Sequence, residues 1–340
     1  MNREVYRLVP KPGSMKNLKR IEEELPAPGS DEVTVEVKAL GLNFADIPCI
    51  QGLYKAAPKV SFIPGLEYSG IVKSTGNAVT DYKEGDKVMG ITRFGGYASL
   101  INIPHHYITK LPSSWTMEEG AAYLVHALTA YYALVTLADI RQGQTVLIHS
   151  AAGGVGTMAN RIAKRFNAYT IGSIGNASKS EQLKKEGYDA FIVRTPAFRE
   201  DLKKALGDRV LNIVLDPIGG EIFRDSFRIL GYEGRMIVYG SASFMTHGDR
   251  PNYWKMIRKY FRRPLLDPMR LTQWNKSVMG FNLIYLYEQK ENLKKYLSRL
   301  EELDLGKPGI GHVLPFSELV EGVRMLQSGN TTGKVVITVP

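Results

Sequence analysis

Thr145 to Gly156 reads TVLIHSAAGGVG. Thr145-Val146-Leu147-Ile148 is β-branched, apolar and uninterrupted, the pattern of a strand buried within a parallel sheet. Ala151-Ala152-Gly153-Gly154-Val155-Gly156 then turns into a helical pattern running from Thr157 to Phe166. This is the G-x-G-x-x-G dinucleotide fingerprint with Ala151 in the place of the first glycine. Small residues let backbone N–H groups approach a pyrophosphate, and the positive end of the following helix favours that anion. A bare glycine string is weak evidence, and a ligand-free glycine turn is the alternative. Here the strand before it and the helix after it supply the required context.

Downstream, strand and helix patterns alternate as far as Leu283. Strands are expected at 169–174, 190–194, 212–216, 235–240 and 277–283, with helices near 154–166, 179–186, 198–206 and 221–230. Alternation of this kind predicts right-handed crossovers and a doubly wound parallel sheet. A ligand then sits at the carboxyl ends of the strands, which nominates Ser150, Ser173, Asp216 and Tyr239-Gly240-Ser241.

Upstream, residues 1 to about 125 are β-rich and punctuated by Pro and Gly. Glu32–Ala39 alternates as a half-buried strand, and Gly70–Ser74, Lys87–Gly90 and Tyr97–Ile103 read as further short strands. Together they suggest a barrel-like domain with a pocket on its loops. Trp115 to Ala138 is expected to be helical and to join the two halves. Leu283–Leu305 reads as an amphipathic helix. A β–α–β tail follows, and its last strand, Lys334–Val339, is expected to return to the N-terminal barrel.

The 340 residues suggest about two domains. Apolar residues at 44% and charged residues at 23% fit a globular chain with a full core. No membrane span and no apolar signal core are expected. Cys49 is the single cysteine, which excludes an internal disulfide and fits a reducing, cytoplasmic setting. The formal net charge is +10, and six of those charges lie in one segment, Arg250 to Arg263. That segment, within DRPNYWKMIRKYFRRP, is a basic amphipathic helix bracketed by Pro251 and Pro264. Its aromatics fit headgroup depth over an anionic membrane surface. The alternative is that the aromatic face packs on the protein. A nucleic-acid partner is not expected, because no recognised binding motif accompanies the patch.

Several strings spread along the chain carry a resemblance. They are Leu42-Asn43-Phe44-Ala45-Asp46, Gly52-Leu53-Tyr54, Pro64-Gly65-Leu66-Glu67-Tyr68-Ser69-Gly70, Leu128-Thr129-Ala130-Tyr131-Tyr132, AAGGVG at 151–156, Asp216-Pro217-Ile218-Gly219-Gly220 and Gly333-Lys334. In this order the chain resembles the medium-chain dehydrogenase/reductase superfamily, in the zinc-free quinone oxidoreductase branch that includes zeta-crystallin-type enzymes. The insert at 241–276, followed by VMGFNLIYL, looks most like the synaptic-vesicle membrane protein subgroup. The resemblance implies an α/β chain with a GroES-like catalytic domain (1–125 and 300–340). It also implies a Rossmann domain (126–299), with a homodimer formed through the Rossmann sheet edge.

Zinc-dependent members of that superfamily use an early Cys, a Gly-His-Glu string and a four-Cys lobe. Here Asn43 stands near the Cys position and Leu66 replaces the His, so no metal is expected. The six histidines form no ligand pair with acids at the usual spacing. For the cofactor, an acid about 20 residues beyond the glycines would take a ribose 2′-OH. None occurs between Gly156 and Glu181, whereas Lys179 follows the second strand. That points to NADPH, with Ser173 and Arg194 as further partners of the 2′-phosphate. The alternative is that Lys179 and Arg194 are solvated surface charges.

The fingerprint residues Ala152, Gly153, Gly154, Val155 and Gly156 are assigned to the pyrophosphate. By resemblance, Asn43 and Thr129 hold the nicotinamide and its ribose, Tyr239-Gly240-Ser241 runs alongside, and Asn330 and Lys334 close from the tail loop. The expected chemistry is hydride transfer to a quinone or an α,β-unsaturated carbonyl. Tyr54 is expected to donate to the substrate oxygen with Asp46 orienting it, the alternative being a wall residue that stacks on the ring. Glu67 is expected to be a buried structural acid. A peripheral, lipid-associating protein with a retained nucleotide fold is the competing reading.

Overall fold

The structure, a computed structural model, describes all 340 residues. The barrel half begins with a ribbon of β1 (Asn2–Leu8) and β2 (Leu18–Glu24). It continues with β3 (Glu32–Gly41), the short helix α1 (Asp46–Ile50), β4 (Glu67–Thr75), β5 (Lys87–Ile91), β6 (Leu100–Pro104) and β7 (Ile108–Lys110). Val33, Val35 and Val37 of β3 face inward and are fully buried, as the alternation requires.

The expected strand from Tyr97 to Ile103 is shifted. Tyr97 and Ala98 precede β6, and Tyr97 is drawn inward by a hydrogen bond from its hydroxyl to Asp46 Oδ2 at 2.8 Å.

Trp115–Ala138 is not one helix. It divides into α2 (Met117–Ala121), α3 (Leu124–Tyr131) and a π turn from Tyr132 to Leu137. Met117–Leu137 is long and apolar enough to pass for a membrane span by composition. Yet 72% of its most apolar window is buried inside the protein, so it serves here as core.

The second half is the doubly wound sheet. Its elements in order are β8 (Thr145–His149), α4 (Gly154–Arg165), β9 (Tyr169–Ile174), α5 (Ser180–Lys185), β10 (Ala190–Val193) and α6 (Phe198–Leu206). Then come β11 (Leu211–Asp216), α7 (Gly220–Ile229), β12 (Arg235–Val238), α8 (Tyr253–Phe261), α9 (Pro268–Gln273) and β13 (Ser277–Gly280). The six strands are parallel in the order β10-β9-β8-β11-β12-β13. The order reverses between β8 and β11, which opens a crevice at their carboxyl ends. All five residues of β8 are buried.

Strand β12 stops at Val238, before the expected Gly240. A side chain at Gly240 would come within 2.7 Å of the Pro217 carbonyl, so the chain leaves the sheet there across the turn after β11.

Leu283–Leu305 is also broken, into a 3-10 stretch (Leu283–Glu288) and α10 (Lys290–Leu303). The Tyr107 hydroxyl donates to the Tyr287 carbonyl at 2.8 Å, taking the acceptor that a continuous helix would need. The tail comprises β14 (Ile310–Pro315), α11 (Leu319–Gln327) and β15 (Lys334–Thr338). Strand β15 pairs antiparallel with β3, so the C-terminus does return to the barrel sheet.

The insert does not pack its aromatic face on the protein. Asn252 caps α8 by accepting from the Lys255 amide, but no residue of α8 or α9 is buried. Trp254 is 85% and Phe261 80% exposed, with Tyr253, Ile257 and Tyr260 exposed beside them.

Candidate active site

The glycine turn lies at the head of α4, in the crevice. A side chain at Gly156 would come within 2.6 Å of the Ala151 carbonyl, so the first turn of α4 can lie tight on the strand only with glycine there. At Gly153 the nearest atom to an added Cβ is the Ser150 carbonyl at 3.1 Å. Ala152 is buried beneath the turn, and Val155 packs partly buried against the larger core. Gly154 and Val155 begin the helix without a side-chain cap, which leaves their N–H groups free for an anion. A pyrophosphate fits this cradle.

At the ends of β9 and β10 the structure assembles a cationic corner. Arg194 Nη1 donates to the Ser173 carbonyl at 3.1 Å and to Ser173 Oγ at 3.0 Å. An arginine only donates, so the serine proton turns to His149 Nδ1, 2.7 Å away. His149 Nε2–H then donates to Ser226 Oγ at 2.9 Å. Burial and the nearby Arg194 push His149 down to about 3, which keeps the ring neutral as this chain of bonds requires.

Ser173 is fully buried and engaged on both sides. Its expected direct contact with a 2′-phosphate is therefore corrected: it holds Arg194. Lys179 reaches the tail loop, donating to the Gly329 and Thr331 carbonyls at 2.9 Å each. Its ammonium is pushed below the usual lysine range by burial and by Arg194, so the two cations share one corner and are not freely solvated. Asp216, the only acid near Arg194, spends Oδ1 on the Ile218 and Gly219 amides, at 2.7 and 3.0 Å.

On the barrel side a second cluster forms. Asn43 Nδ2 donates to Glu67 Oε1 at 2.8 Å and to the Gly41 carbonyl at 3.2 Å. Lys334 pairs with Glu67 and donates to Asn43 Oδ1 at 2.8 Å. Glu67 Oε2 accepts from the Val125 amide at 3.1 Å, which makes this acid structural. Lys334 is the first residue of β15 and is 2% exposed. It is buried in an ion pair and does not swing on the tail loop as expected. Asn330 is on that loop and exposed, but Lys179 holds the loop at the adenosine end of the crevice.

Asp46 does not orient Tyr54. Its Oδ2 accepts from the Asn43 amide and the Tyr97 hydroxyl, both at 2.8 Å. The Tyr54 hydroxyl donates to Asn282 Oδ1 at 2.6 Å, a partner that the sequence reading missed. Burial pushes Tyr54 up to about 12, so it stays a donor. Tyr54 packs against both main cores, at the joint of the two halves. Thr129 is buried on α3, with its hydroxyl donating to the Val125 carbonyl at 2.6 Å. Tyr239 stacks on Phe281, with centroids 6.0 Å apart, and continues through Gly240 and Ser241 into the insert.

The reading also missed His126. It lies three residues before Thr129 on α3, hence on the same helix face, and that spacing was the available signal. No group of three His, Cys, Asp or Glu side chains converges anywhere in the chain. At the position of a catalytic zinc the donors are an amide, Asn43, and an acid already bound to lysine. That set does not fit the ion.

The family model described as the alcohol dehydrogenase GroES-like domain matches residues 29–113, and that of the zinc-binding dehydrogenase matches 154–302. The synaptic vesicle membrane protein VAT-1 homolog of Rattus norvegicus is 35% identical, over 92% of this chain and 78% of its own length. The Escherichia coli quinone oxidoreductase complexed with NADPH superposes with a TM-score of 0.85 at 27% identity, covering 99% of this chain and 100% of the other. CurK enoyl reductase gives 0.82 at 27% identity, with 99% of each chain covered.

Proposed function

Because this chain belongs to the medium-chain dehydrogenase/reductase superfamily, in its zinc-free quinone oxidoreductase branch near the VAT-1 homologues, we propose that it is an NADPH-dependent oxidoreductase acting on quinones or α,β-unsaturated carbonyls. The observation that carries the cofactor is the Lys179–Arg194 corner beyond a glycine turn, at a strand end whose one nearby acid, Asp216, is fully buried and turned to backbone amides. Two cations suit a ribose 2′-phosphate and leave no acceptor for a 2′-OH.

The bound cofactor would supply a hydride from its nicotinamide, and the chain's own residues bind and orient it. Ala152 to Gly156 hold the pyrophosphate. Asn43 and Thr129 bracket the nicotinamide end, with Tyr239, Gly240 and Ser241 alongside and Asn330 on the covering loop. Tyr54 offers its proton to the substrate oxygen when it leaves Asn282. The reduced acceptors of the quinone and enone relatives support the substrate class. The free edge of β13 is the place for a homodimer contact. The lone, buried Cys49 supports a reducing, cytoplasmic setting.

The test is NADPH oxidation over a panel of quinones and enones. Turnover with several members, and much poorer turnover with NADH, is the expected result. Inertness across the panel refutes the reading.

The exposed aromatic face of α8 carries a second reading, an anionic membrane surface met through 250–263. Co-sedimentation with phosphatidylserine vesicles but not neutral ones is expected. Trp254→Glu with Phe261→Glu should abolish it, and equal binding to both vesicles refutes it.

A further inference from the structure

His126 stands where the two halves meet, and neither the fingerprint nor the cationic corner uses it. Its Nε2 lies 3.2 Å from Lys334 Nζ. The other two hydrogens of that ammonium go to Glu67 and to Asn43 Oδ1. A lysine ammonium only donates, so the Nε2 that faces it must carry the lone pair. Burial and the adjacent Lys334 hold His126 well below the usual histidine range, so the ring is neutral. A neutral ring with a bare Nε2 carries its one hydrogen on Nδ1.

The glycine turn fixes what that edge of the ring lies against. A Cβ built on Gly154 would fall on the Nδ1–Cε1 edge of the imidazole. The ring therefore fills the side-chain place of Gly154, with Nδ1 against the first residue of α4. Nδ1 has no hydrogen-bond partner within the protein, and His126 is only partly buried in the crevice. A donor of fixed tautomer thus stands beside the uncapped N-terminus of α4, braced from behind by a buried ion pair of the barrel half.

We propose that His126 is an additional pyrophosphate-binding residue, donating its Nδ1–H to the dinucleotide at the glycine turn. The assignment rests on the nucleotide seat and not on the identity of the acceptor substrate. Its role differs from that of Lys179 and Arg194. Those read the 2′ position and separate NADPH from NADH, whereas the pyrophosphate is common to both. The bond also joins the halves: through Lys334, the anion at the Rossmann helix is linked to Glu67 and Asn43 of the barrel.

Two substitutions test it by calorimetric titration with NADPH and with NADH. Asparagine carries its amide nitrogen on Cγ, as Nδ1 is carried. Glutamine places its amide one carbon further, nearer to Nε2. His126→Asn should therefore keep both affinities within about threefold. His126→Gln should weaken both nucleotides by the same factor, about tenfold, the scale of one hydrogen bond to an anion. The NADPH to NADH ratio should not move in either variant.

Wild-type affinity in His126→Gln overturns the proposal. Equal losses in both variants also overturn it, since that pattern reports packing at Gly154. A changed NADPH to NADH ratio would place the effect at the 2′ corner and overturn it too. Wild-type protein that binds neither nucleotide removes the nucleotide seat itself. Thermal midpoints of the free variants, expected to match wild type within a few degrees, confirm that each has folded.

Discussion

Lys179 and Ser173 contribute to one anion seat in different ways. Lys179 offers a charge, at the cost of burial beside Arg194. Ser173 offers only the bond that holds Arg194 in place. We expect Lys179→Ala to weaken NADPH binding at least tenfold and to leave NADH unchanged, as loss of a charge-assisted contact would. Ser173→Ala should give a smaller loss with the same selectivity, because Arg194 remains but is no longer fixed. Titration with both nucleotides checks the pair.

Asp46 makes a separate prediction. Burial outweighs its two hydrogen bonds and raises the carboxyl from 3.8 to about 7. Because the folded state holds this proton more tightly than the unfolded state, the group favours folding at low pH. Its contribution falls as pH rises from about 4 to about 7 and is level above that. Asp46→Asn removes that slope, so the variant should gain on wild type between pH 5 and 7 and no further by pH 8. Urea midpoints across that range measure it. These residues show what a sequence yields at this scale. The missing acid and the lysine after β9 were visible because they are local. The contact of His126 with Lys334 spans 208 positions, and only the fold brings the two together.

Helix starts were written more plainly than helix breaks. Thr116 and Glu119 form a reciprocal capping box at α2, with bonds of 3.2 and 2.7 Å. Thr116→Ala should cost about 1 kcal/mol, read from the shift in denaturant midpoint at constant slope. A cap of this kind joins residues only three apart, so it is local chemistry. The break at Gln289 is not, because its cause is the Tyr107 hydroxyl arriving from another part of the chain. Helix α8 shows the same limit from the other side. Its period and charge were plain, and the helix, Tyr253–Phe261, falls within the expected bracket of Pro251 and Pro264. Whether its aromatic face met protein or solvent depended on what the fold placed beneath it.

The largest core runs across both halves, packing Leu66, Met89, Ile91 and Leu111 of the barrel with the Rossmann strands, and it shares partly buried side chains such as Tyr54, Phe94 and Tyr107 with the barrel's own core. The return of the C-terminal strand to the barrel was legible from the tail's β–α–β pattern. The crossing contacts, Lys179 to the tail loop and His126 to Lys334, were not. Both of these contacts lie at the nucleotide crevice, so a ligand seated there binds the folded, closed arrangement and not the unfolded chain. By mass action a ligand at 100 times its dissociation constant adds about 2.7 kcal/mol to stability. NADPH at that level should raise the thermal midpoint by several degrees, and NADH at the same concentration should raise it much less. In Lys179→Ala the two shifts should converge on the smaller value, because the remaining contacts are those that the nucleotides share. A wild-type protein stabilised equally by both nucleotides would mean that the cationic corner is not read. In that case the missing acid after β9 would reflect only a surface free of constraint.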